Sequence, residues 1–248
     1  MPPAPMHPTA ARTLAARGPL PPQAILEHCP PGTNVIVPIA NGEPVTVIRA
    51  LDEAFERLEG VTVHQMHAMH DHAYFHRPER GRLEHISDFL SHVTRAAFHA
   101  GTIDLSPCNF SEMPLLLRGL KGPTIIVASV SPPDAHGYFS LGTGADYVAS
   151  FVGRLPLFVE VNAQMPASQG ENAIHVSEVL GWCEADYPLV EVPPSEVNEL
   201  DHRIGALVAE RIPQGATIQA GIGSTSTAVL RELHGHHDLG IHTEPVSY

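Results

Sequence analysis

A chain of 248 residues with 43% hydrophobic side chains can bury a substantial core. It contains no apolar run of about 18 residues, so we expect no membrane span, and its net charge of −13 argues against binding to nucleic-acid phosphates or to an anionic membrane surface. Cys29, Cys108 and Cys183 are widely spaced and form no C-x-x-C pair. This usage indicates a reducing compartment, and we expect a cytoplasmic protein.

The beginning of the chain differs in composition from the rest. Residues 1–22 hold seven prolines and few aliphatic side chains, too little apolar surface to offset the entropy cost of ordering. The sequence therefore predicts a flexible, proline-rich arm over residues 1–24, followed by an α/β domain over residues 25–248.

Short apolar runs alternate with segments of helical spacing from residue 34 onward. The predicted strands are 34–39, 61–63, 124–130, 157–161, 216–220 and 239–242. The predicted helices begin at Pro44, span 86–100 up to a Gly101 cap, and cover 111–120, 200–212 and 225–233. Strand 124–130 shows no polar alternation, which is typical of a strand covered on both faces. The pattern predicts an open, largely parallel α/β sheet with helices on both faces.

The last forty residues carry two candidate site segments. Gly221, Ile222 and Gly223 follow a predicted strand and open a helix, where backbone N–H groups can approach an anionic ligand. Glu244 stands just past the final predicted strand, at the edge where open α/β sheets bind ligands. A carboxylate there can act as a nucleophile, a general base or a metal ligand, whereas a structural glycine turn and a solvated glutamate are the plainer interpretations.

Two further polar segments follow predicted buried strands. The first, Ser131 to Ser140, includes Asp134, His136 and Gly137 in a tight, rigid loop of the kind that lines sites or simply turns the chain. The second places Asn162 and Gln164 after strand 157–161, where their amides could bind a carbonyl, orient a carboxylate or cap the local turn.

A group of histidines raises the question of a metal site. Its members are His64, His67, His70, His72, His76 and His85. Imidazole is the commonest metal ligand in proteins, so zinc has to be considered. The spacing matches no H-E-x-x-H or C-x-x-C pattern, and the chain has 17 histidines in all. We therefore expect no metal here.

Together these segments resemble one family. The ordered motifs are G-E-P (Gly42 to Pro44), S-P-P-D-x-H-G-Y-x-S (Ser131 to Ser140), E-V-N-x-Q-M-P (Glu160 to Pro166), I-H-V-S (Ile174 to Ser177), G-A-T-I-Q-x-G-I-G (Gly215 to Gly223) and G-I-H-T-E (Gly240 to Glu244). In that order they resemble the acetyl-CoA hydrolase/transferase family, which includes 4-hydroxybutyrate and acetate CoA-transferases. The resemblance runs from about residue 30 to the end of the sequence.

The resemblance implies a class I CoA-transferase-like domain that moves CoA from an acyl-CoA to a carboxylic acid. It implies that Glu244 is the nucleophile and forms a glutamyl-CoA thioester, a form of covalent catalysis. The implied reaction needs no cofactor, since coenzyme A is itself a substrate. The residues implied to line the acyl and CoA side are Gly42, Glu43, Asp134, His136, Gly137, Asn162, Gln164, Gly221, Ile222 and Gly223.

Two departures from the family pattern shape these expectations. The family continues H-T-E with M-x-S-D-G and a second α/β domain, whereas here Glu244 is followed by Pro245 to Tyr248. We therefore expect the C-terminal domain to be absent, and a second chain or a homo-oligomer to complete the site. The family's A-I-P-x-A-V-L after Gly-Ile-Gly is replaced by Ser224 to Leu230, which alters the local substrate contacts. An acyl-CoA hydrolase, and a non-catalytic subunit that binds acyl-CoA or a partner, remain as alternative functions.

Overall fold

The computed structural model describes residues 18–170, 172–193 and 196–243. The chain divides into two compact units, residues 1–190 and 191–248. Most of the predicted arm lies outside the described residues. Its last residues belong to a 3-10 helix, Pro22–His28, in which Ile25 is completely buried.

The first unit is built on a parallel sheet. The strands of this unit are β1 Asn34–Ile36, β2 Val61–Gln65, β3 Leu83–Ser87, β4 Asp104–Leu105, β5 Thr124–Val130, β6 Tyr138–Ser140, β7 Leu157–Asn162, β8 Ala173–His175 and β9 Gly181–Ala185. Of these, β6 and β8 form a separate, small antiparallel pair. The order across the seven-stranded sheet is β4-β3-β2-β1-β5-β7-β9, and every neighbouring pair runs parallel. The predicted open, parallel α/β sheet is confirmed.

Both faces of this sheet are covered, as the apolar strand β5 predicted. Successive side chains of a strand point to opposite faces, and Ile125 and Val127 enter one core while Ile126 and Ala128 enter the other. The first core also holds side chains from the helices α1 Val45–Glu53 and α2 Thr94–Ala100. The second core holds side chains from α3 Met113–Arg118. Helices on both faces are thereby confirmed.

The single helix predicted over residues 86–100 is wrong in its first half. Ile86 lies in strand β3, which pairs with both β2 and β4, and the helix begins only at Thr94. Just before the helix, the Ser91 amide donates a hydrogen bond to the Thr94 hydroxyl at 2.9 Å. The apolar residues of this segment match a helical spacing, but pairing with β2 and β4 makes Ile86 part of a strand. Gly101 does end the helix, with φ of 76°.

Among its described residues, the second unit has two α-helices, two short strands and a 3-10 helix, Leu233–Gly235. The α-helices and strands are α4 Glu199–Ala209, β10 Thr217–Ile218, α5 Ser224–Glu232 and β11 Gly240–Ile241. β10 and β11 pair in parallel. Asn198 and Asp201 form a capping box at the start of α4. An added Cβ on Gly205 would lie 2.9 Å from the Ala228 carbonyl carbon, so the two helices approach closely at this glycine.

Across residues 18–170, 172–193 and 196–243, none of the helices is both long and apolar enough to cross a bilayer.

Candidate active site

The order of the strands marks one edge of the sheet as the place for a ligand. From β1 the chain adds β2, β3 and β4 on one side, and then returns to place β5 on the other side. The loops after β1 and β5 therefore leave the carboxyl ends of neighbouring strands in opposite directions. Open α/β sheets bind ligands in the crevice at such a switch point.

Gly42 and Glu43 lie in the loop after β1, at this switch point. Gly42 packs against Gly144, since a Cβ at position 42 would come within 2.5 Å of the Pro38 Cβ and 3.0 Å of the Gly144 Cα. Only glycine fits so close a backbone approach. The next side chain, Glu43, is 1% exposed. A carboxylate this deeply buried requires partners.

The partners of Glu43 come mainly from the segment that follows β2. Its Oε2 accepts hydrogen bonds from the Met69 amide and from the Gln65 side chain, both at 3.1 Å. Its Oε1 contacts His72 Nε2 and lies 3.5 Å from His70 Nδ1. Burial raises the pKa of the carboxyl group, but hydrogen bonds and charge interactions with His70 and His72 outweigh it and lower the pKa to about 2.

A second buried carboxylate, Glu160 on β7, occupies the N-terminus of α1. Its Oε2 accepts hydrogen bonds from the amides of Thr46 at 2.7 Å and Val47 at 3.2 Å, and from the Thr46 hydroxyl. Its Oε1 accepts a hydrogen bond from the Tyr187 hydroxyl. Burial raises the pKa of Glu160 to about 7, although these hydrogen bonds act in the opposite direction. The carboxylate thus satisfies amides that a helix N-terminus leaves free.

Asn162, the last residue of β7, holds the segment after β9 in place. Its Nδ2 donates to the Tyr187 carbonyl at 3.0 Å, and its Oδ1 accepts from the amides of Gln164 at 3.1 Å and Tyr187 at 3.3 Å. Its side chain is completely buried. The exposed Gln164 donates to Asp186 Oδ1 at 2.7 Å. Both predicted amides are thus bonded within the protein, and their predicted role toward a ligand stays a prediction.

The loop after β5 is the tight turn that its sequence predicted. Asp134 Oδ1 accepts hydrogen bonds from the amides of His136 at 2.8 Å and Tyr138 at 2.9 Å. Gly137 supplies a φ of 87°, which favours glycine. A cleft of about 460 Å³ opens beside this loop, lined by Pro132, Pro133, Val161, Ala163, Glu184, Ala185 and Asp186. Asp134 and His136 are exposed, so their predicted contacts with a substrate remain a prediction.

The structure therefore brings together only part of the predicted set within the first unit. Tyr187 connects Glu43 with Asn162, because its hydroxyl oxygen lies 3.3 Å from the Glu43 carbonyl oxygen while its backbone bonds Asn162. The hydrogen bonds described for Asp134, by contrast, close its own turn.

In the second unit, the glycine turn and the H-T-E motif meet. Gly221, Ile222 and Gly223 lead from β10 into α5, and Gly223 has a φ of 125°. The Thr243 hydroxyl donates to the Ala220 carbonyl at 2.8 Å and accepts from the Ala220 amide at 3.2 Å. Thr243, which precedes Glu244, is thus hydrogen-bonded to Ala220, which precedes Gly221. Glu244 itself lies outside the described residues.

Comparison with known proteins identifies the family. The sequence model of the acetyl-CoA hydrolase/transferase N-terminal domain matches residues 21–197. The chain belongs to the acetyl-CoA hydrolase/transferase family. It is 35% identical over 217 residues to 4-hydroxybutyrate coenzyme A transferase of Clostridium kluyveri, covering 87% of this chain and 51% of that protein. It is 34% identical to succinyl-CoA:cyclohexane-1-carboxylate CoA transferase of Geobacter metallireducens, covering 87% and 49%.

Solved structures agree with this assignment. RipA from Yersinia pestis is 29% identical with a TM-score of 0.83, and the match covers 94% of this chain and 57% of that one. The 4-hydroxybutyrate CoA-transferase of Porphyromonas gingivalis is 33% identical with a TM-score of 0.74, covering 94% and 55%. The chain spans about half the length of the curated relatives that it matches.

Sequence reasoning missed two side chains at this edge of the sheet. Glu160 was noted within a motif but not proposed for the site, and Tyr187 was not considered. The available signal was a charged residue within an otherwise apolar, doubly covered strand, because a buried charge needs a partner.

In the structure, most of the histidines that raise the question of zinc contact polar groups of the protein. His64 Nε2 lies 3.0 Å from Asn34 Oδ1, and the Tyr74 hydroxyl lies 3.0 Å from His85 Nδ1. His70 and His72 face Glu43. Within the described part of the chain, no three His, Cys, Asp or Glu side chains are grouped as metal ligands would be.

Proposed function

We propose that this chain carries one part of a CoA-transferase that moves CoA from an acyl-CoA to a carboxylic acid. The observation that carries the proposal is the position of Thr243, which is bonded to Ala220 beside the Gly221–Gly223 turn. In the sequence, Glu244 follows directly on this anchored residue. The relatives named above are CoA transferases, which supports the same reaction class.

The proposed chemistry uses the Glu244 carboxylate as a nucleophile. It attacks the acyl-CoA thioester carbonyl, so that a mixed anhydride forms and the CoA thiolate leaves. The thiolate then attacks the glutamyl carbonyl of the anhydride, which forms a glutamyl-CoA thioester and releases the first carboxylate. An acceptor carboxylate repeats these two steps in reverse and leaves as the new acyl-CoA. The carboxylate is itself the covalent carrier, so the scheme needs no metal or cofactor.

The glycine turn supports this scheme through its backbone. Gly223 caps a helix of nine residues, α5, and the N-terminus of a helix favours negative charge. Tetrahedral intermediates of acyl transfer develop such a charge on oxygen. We propose that the rest of the site comes from the part of the relatives' length that this chain does not match, in the same polypeptide, in a second chain or in another copy. We further propose that it acts in the cytoplasm.

The proposal is tested by trapping the intermediate on Glu244. The protein, alone and together with the remaining half of a relative, is incubated with an acyl-CoA and then with borohydride, which reduces a glutamyl thioester. We expect a covalent label on the peptide that contains Glu244, and loss of both label and CoA transfer in Glu244→Ala. The matched control is Glu232→Ala, which removes another glutamate of the second unit, on α5, and should label as the parent does.

Two outcomes would contradict the proposal. A label that persists in Glu244→Ala would exclude this nucleophile. Thioester cleavage at equal rates with and without acetate, and without a new acyl-CoA, would assign hydrolysis rather than transfer. Solution mass, measured for the same samples, would show whether a second copy or chain accompanies activity.

A further inference from the structure

The α1 N-terminus at the switch point is not available to a phosphate group. Helix N-termini at the carboxyl ends of parallel strands commonly bind phosphate through their free amides. Here the amides of Thr46 and Val47 already donate to Glu160, and the Val45 amide donates to the Tyr187 hydroxyl at 3.3 Å. A ligand anion at this edge therefore cannot use these three amides, and a cationic side chain is the alternative.

His70 has the geometry of such a side chain. Its Nδ1 atom is buried and lies 3.5 Å from Glu43 Oε1, while 28% of the side chain is exposed. The exposed surface thus belongs to the rest of the side chain, and Nε2 is the ring nitrogen that does not face Glu43. An imidazole that faces a carboxylate through Nδ1 directs any outward hydrogen bond through Nε2.

The groups around His70 favour its cationic form. Glu43 raises the pKa of the imidazole through hydrogen bonding and charge, burial lowers it, the charge of Glu160 raises it, and Arg49 lowers it. His72, 6.5 Å away between ring centroids, contacts the same Glu43 oxygen. With its proton retained, His70 presents an N–H donor and a positive charge at the exposed side of the ring.

A second cation lies near this ring. Arg49, exposed on α1, is near enough to act on His70 electrostatically. A protonated imidazole and a guanidinium group together suit a small anion.

We propose that His70, oriented by Glu43 and assisted by Arg49, binds the carboxylate group of the acid substrate. The assignment rests on the proposed CoA transfer, in which a free carboxylic acid must be bound. A monoanionic carboxylate fits better than a phosphate dianion, because Glu43 and Glu160 lie close by and repel added negative charge. Binding is assigned to residues of the first unit alone.

The test is a direct binding measurement on chain 1–248, which does not require turnover. Isotope-labelled acetate is titrated by NMR between about pH 5.5 and about pH 8.5, the range in which histidines change charge. We expect binding that weakens as pH rises through the raised pKa of His70. His70→Gln should weaken acetate binding about tenfold, the worth of a charge-assisted hydrogen bond, and Arg49→Gln by about threefold. The matched control is His76→Gln, an exposed imidazole paired with Asp71 at 2.6 Å, which should bind as the parent does.

Each result tests the carboxylate site at His70 separately from the proposed CoA transfer. Acetate binding that is unchanged in both His70→Gln and His70→Ala, with both variants folded by circular dichroism, would overturn it, as would the absence of acetate binding in the parent. Inorganic phosphate that binds more tightly than acetate would overturn the carboxylate assignment. Loss of acetate binding in His70→Gln without any CoA transfer in the parent would uphold this site and reject the proposed function. Where transfer is observed, His70→Gln should raise KM for the acid and leave KM for the acyl-CoA unchanged.

Discussion

The two units of this chain place their chemistry in different ways. In the first unit, Glu43 and Glu160 are buried within a doubly covered sheet, and partners from several elements fix them. In the second unit, the corresponding features are the glycine turn and the hydrogen bond from the Thr243 hydroxyl to the Ala220 carbonyl. The side chains of Leu200, Ile222 and Ile241 are strongly exposed there. Burial therefore sets the charge state of key side chains in the first unit, whereas local backbone conformation sets the geometry of the turn in the second.

Removing Glu160 should give the largest effect. Glu160→Ala leaves the Thr46 and Val47 amides and the Tyr187 hydroxyl without their acceptor inside the protein. Unsatisfied buried groups of this kind should lower the free energy of unfolding by about 3 kcal/mol. Urea denaturation followed by the fluorescence of Trp182, the one tryptophan of the chain, measures this in the first unit. Glu184→Ala, an exposed glutamate on the neighbouring strand β9, should change it by less than about 0.5 kcal/mol. Equal losses in both variants would show that the buried carboxylate has no special structural role.

Filling the contact between α4 and α5 should give an intermediate effect that is confined to the second unit. A Cβ at Gly205 would meet the carbonyl carbon of Ala228 at 2.9 Å and its oxygen at 3.0 Å. Backbone cannot give way as a side chain can, so Gly205→Ala should cost about 2 kcal/mol. Amide hydrogen exchange should quicken in α4 and α5, while the urea midpoint reported by Trp182 fluorescence stays unchanged.

Gly235→Ala is the matched control, since no atom of the described residues beyond its chain neighbours lies within 4 Å of a Cβ placed there. A Trp182 midpoint that falls together with the protection of α4 and α5 would break the comparison, because it would mean that both units unfold as one.

The smallest expected effect concerns Asp88, and it depends on pH. Both carboxylate oxygens are buried without a hydrogen-bond partner among the residues that the structure describes, and burial raises the pKa from 3.8 to about 7. The folded state thus holds a proton that the unfolded state releases, so this stabilisation is complete below about pH 4 and is lost as pH rises through about 7. Asp88→Asn cannot ionise and should unfold with a free energy roughly 1–2 kcal/mol higher at about pH 8, with no gain near about pH 4.

The control for this pH profile is Glu59→Gln, which neutralises an exposed carboxyl group of the same unit. It should leave the Trp182 midpoint unchanged at both pH values. A gain from Asp88→Asn that is the same at both pH values would contradict the role of ionisation.

Much of the fold was predictable because its signals are local. The run Thr124–Val130 predicted β5 with its boundaries, and Val47, Ile48 and Leu51 predicted the buried side of α1. Strands β3, β4, β6, β8 and β9 were missed. Leu83–Ser87 alternates weakly with charged and polar residues, and Gly181–Ala185 opens with a glycine. Such short segments become strands through pairing with neighbours rather than through their own preferences.

The candidate site was predicted only in part, for a related reason. The sequence pointed to Gly42, Glu43 and Asn162, which the structure places at the carboxyl edge of the sheet around Tyr187. It overlooked Glu160, whose hydrogen bond to the Thr46 amide joins residues 114 positions apart. No spacing rule relates two residues so far apart along the chain, because strand order alone brings them together.

By itself, the sequence determined the alternation of strands and helices and the order of the motifs that identify the family, since both depend on neighbouring residues. Only the tertiary structure decided the chemical state of the side chains. It placed Glu43 against two histidines and Glu160 against a helix N-terminus. The same residue type therefore has a pKa of about 2 at one position and about 7 at the other, because burial and the nearest charges set the balance between the protonated and ionised forms.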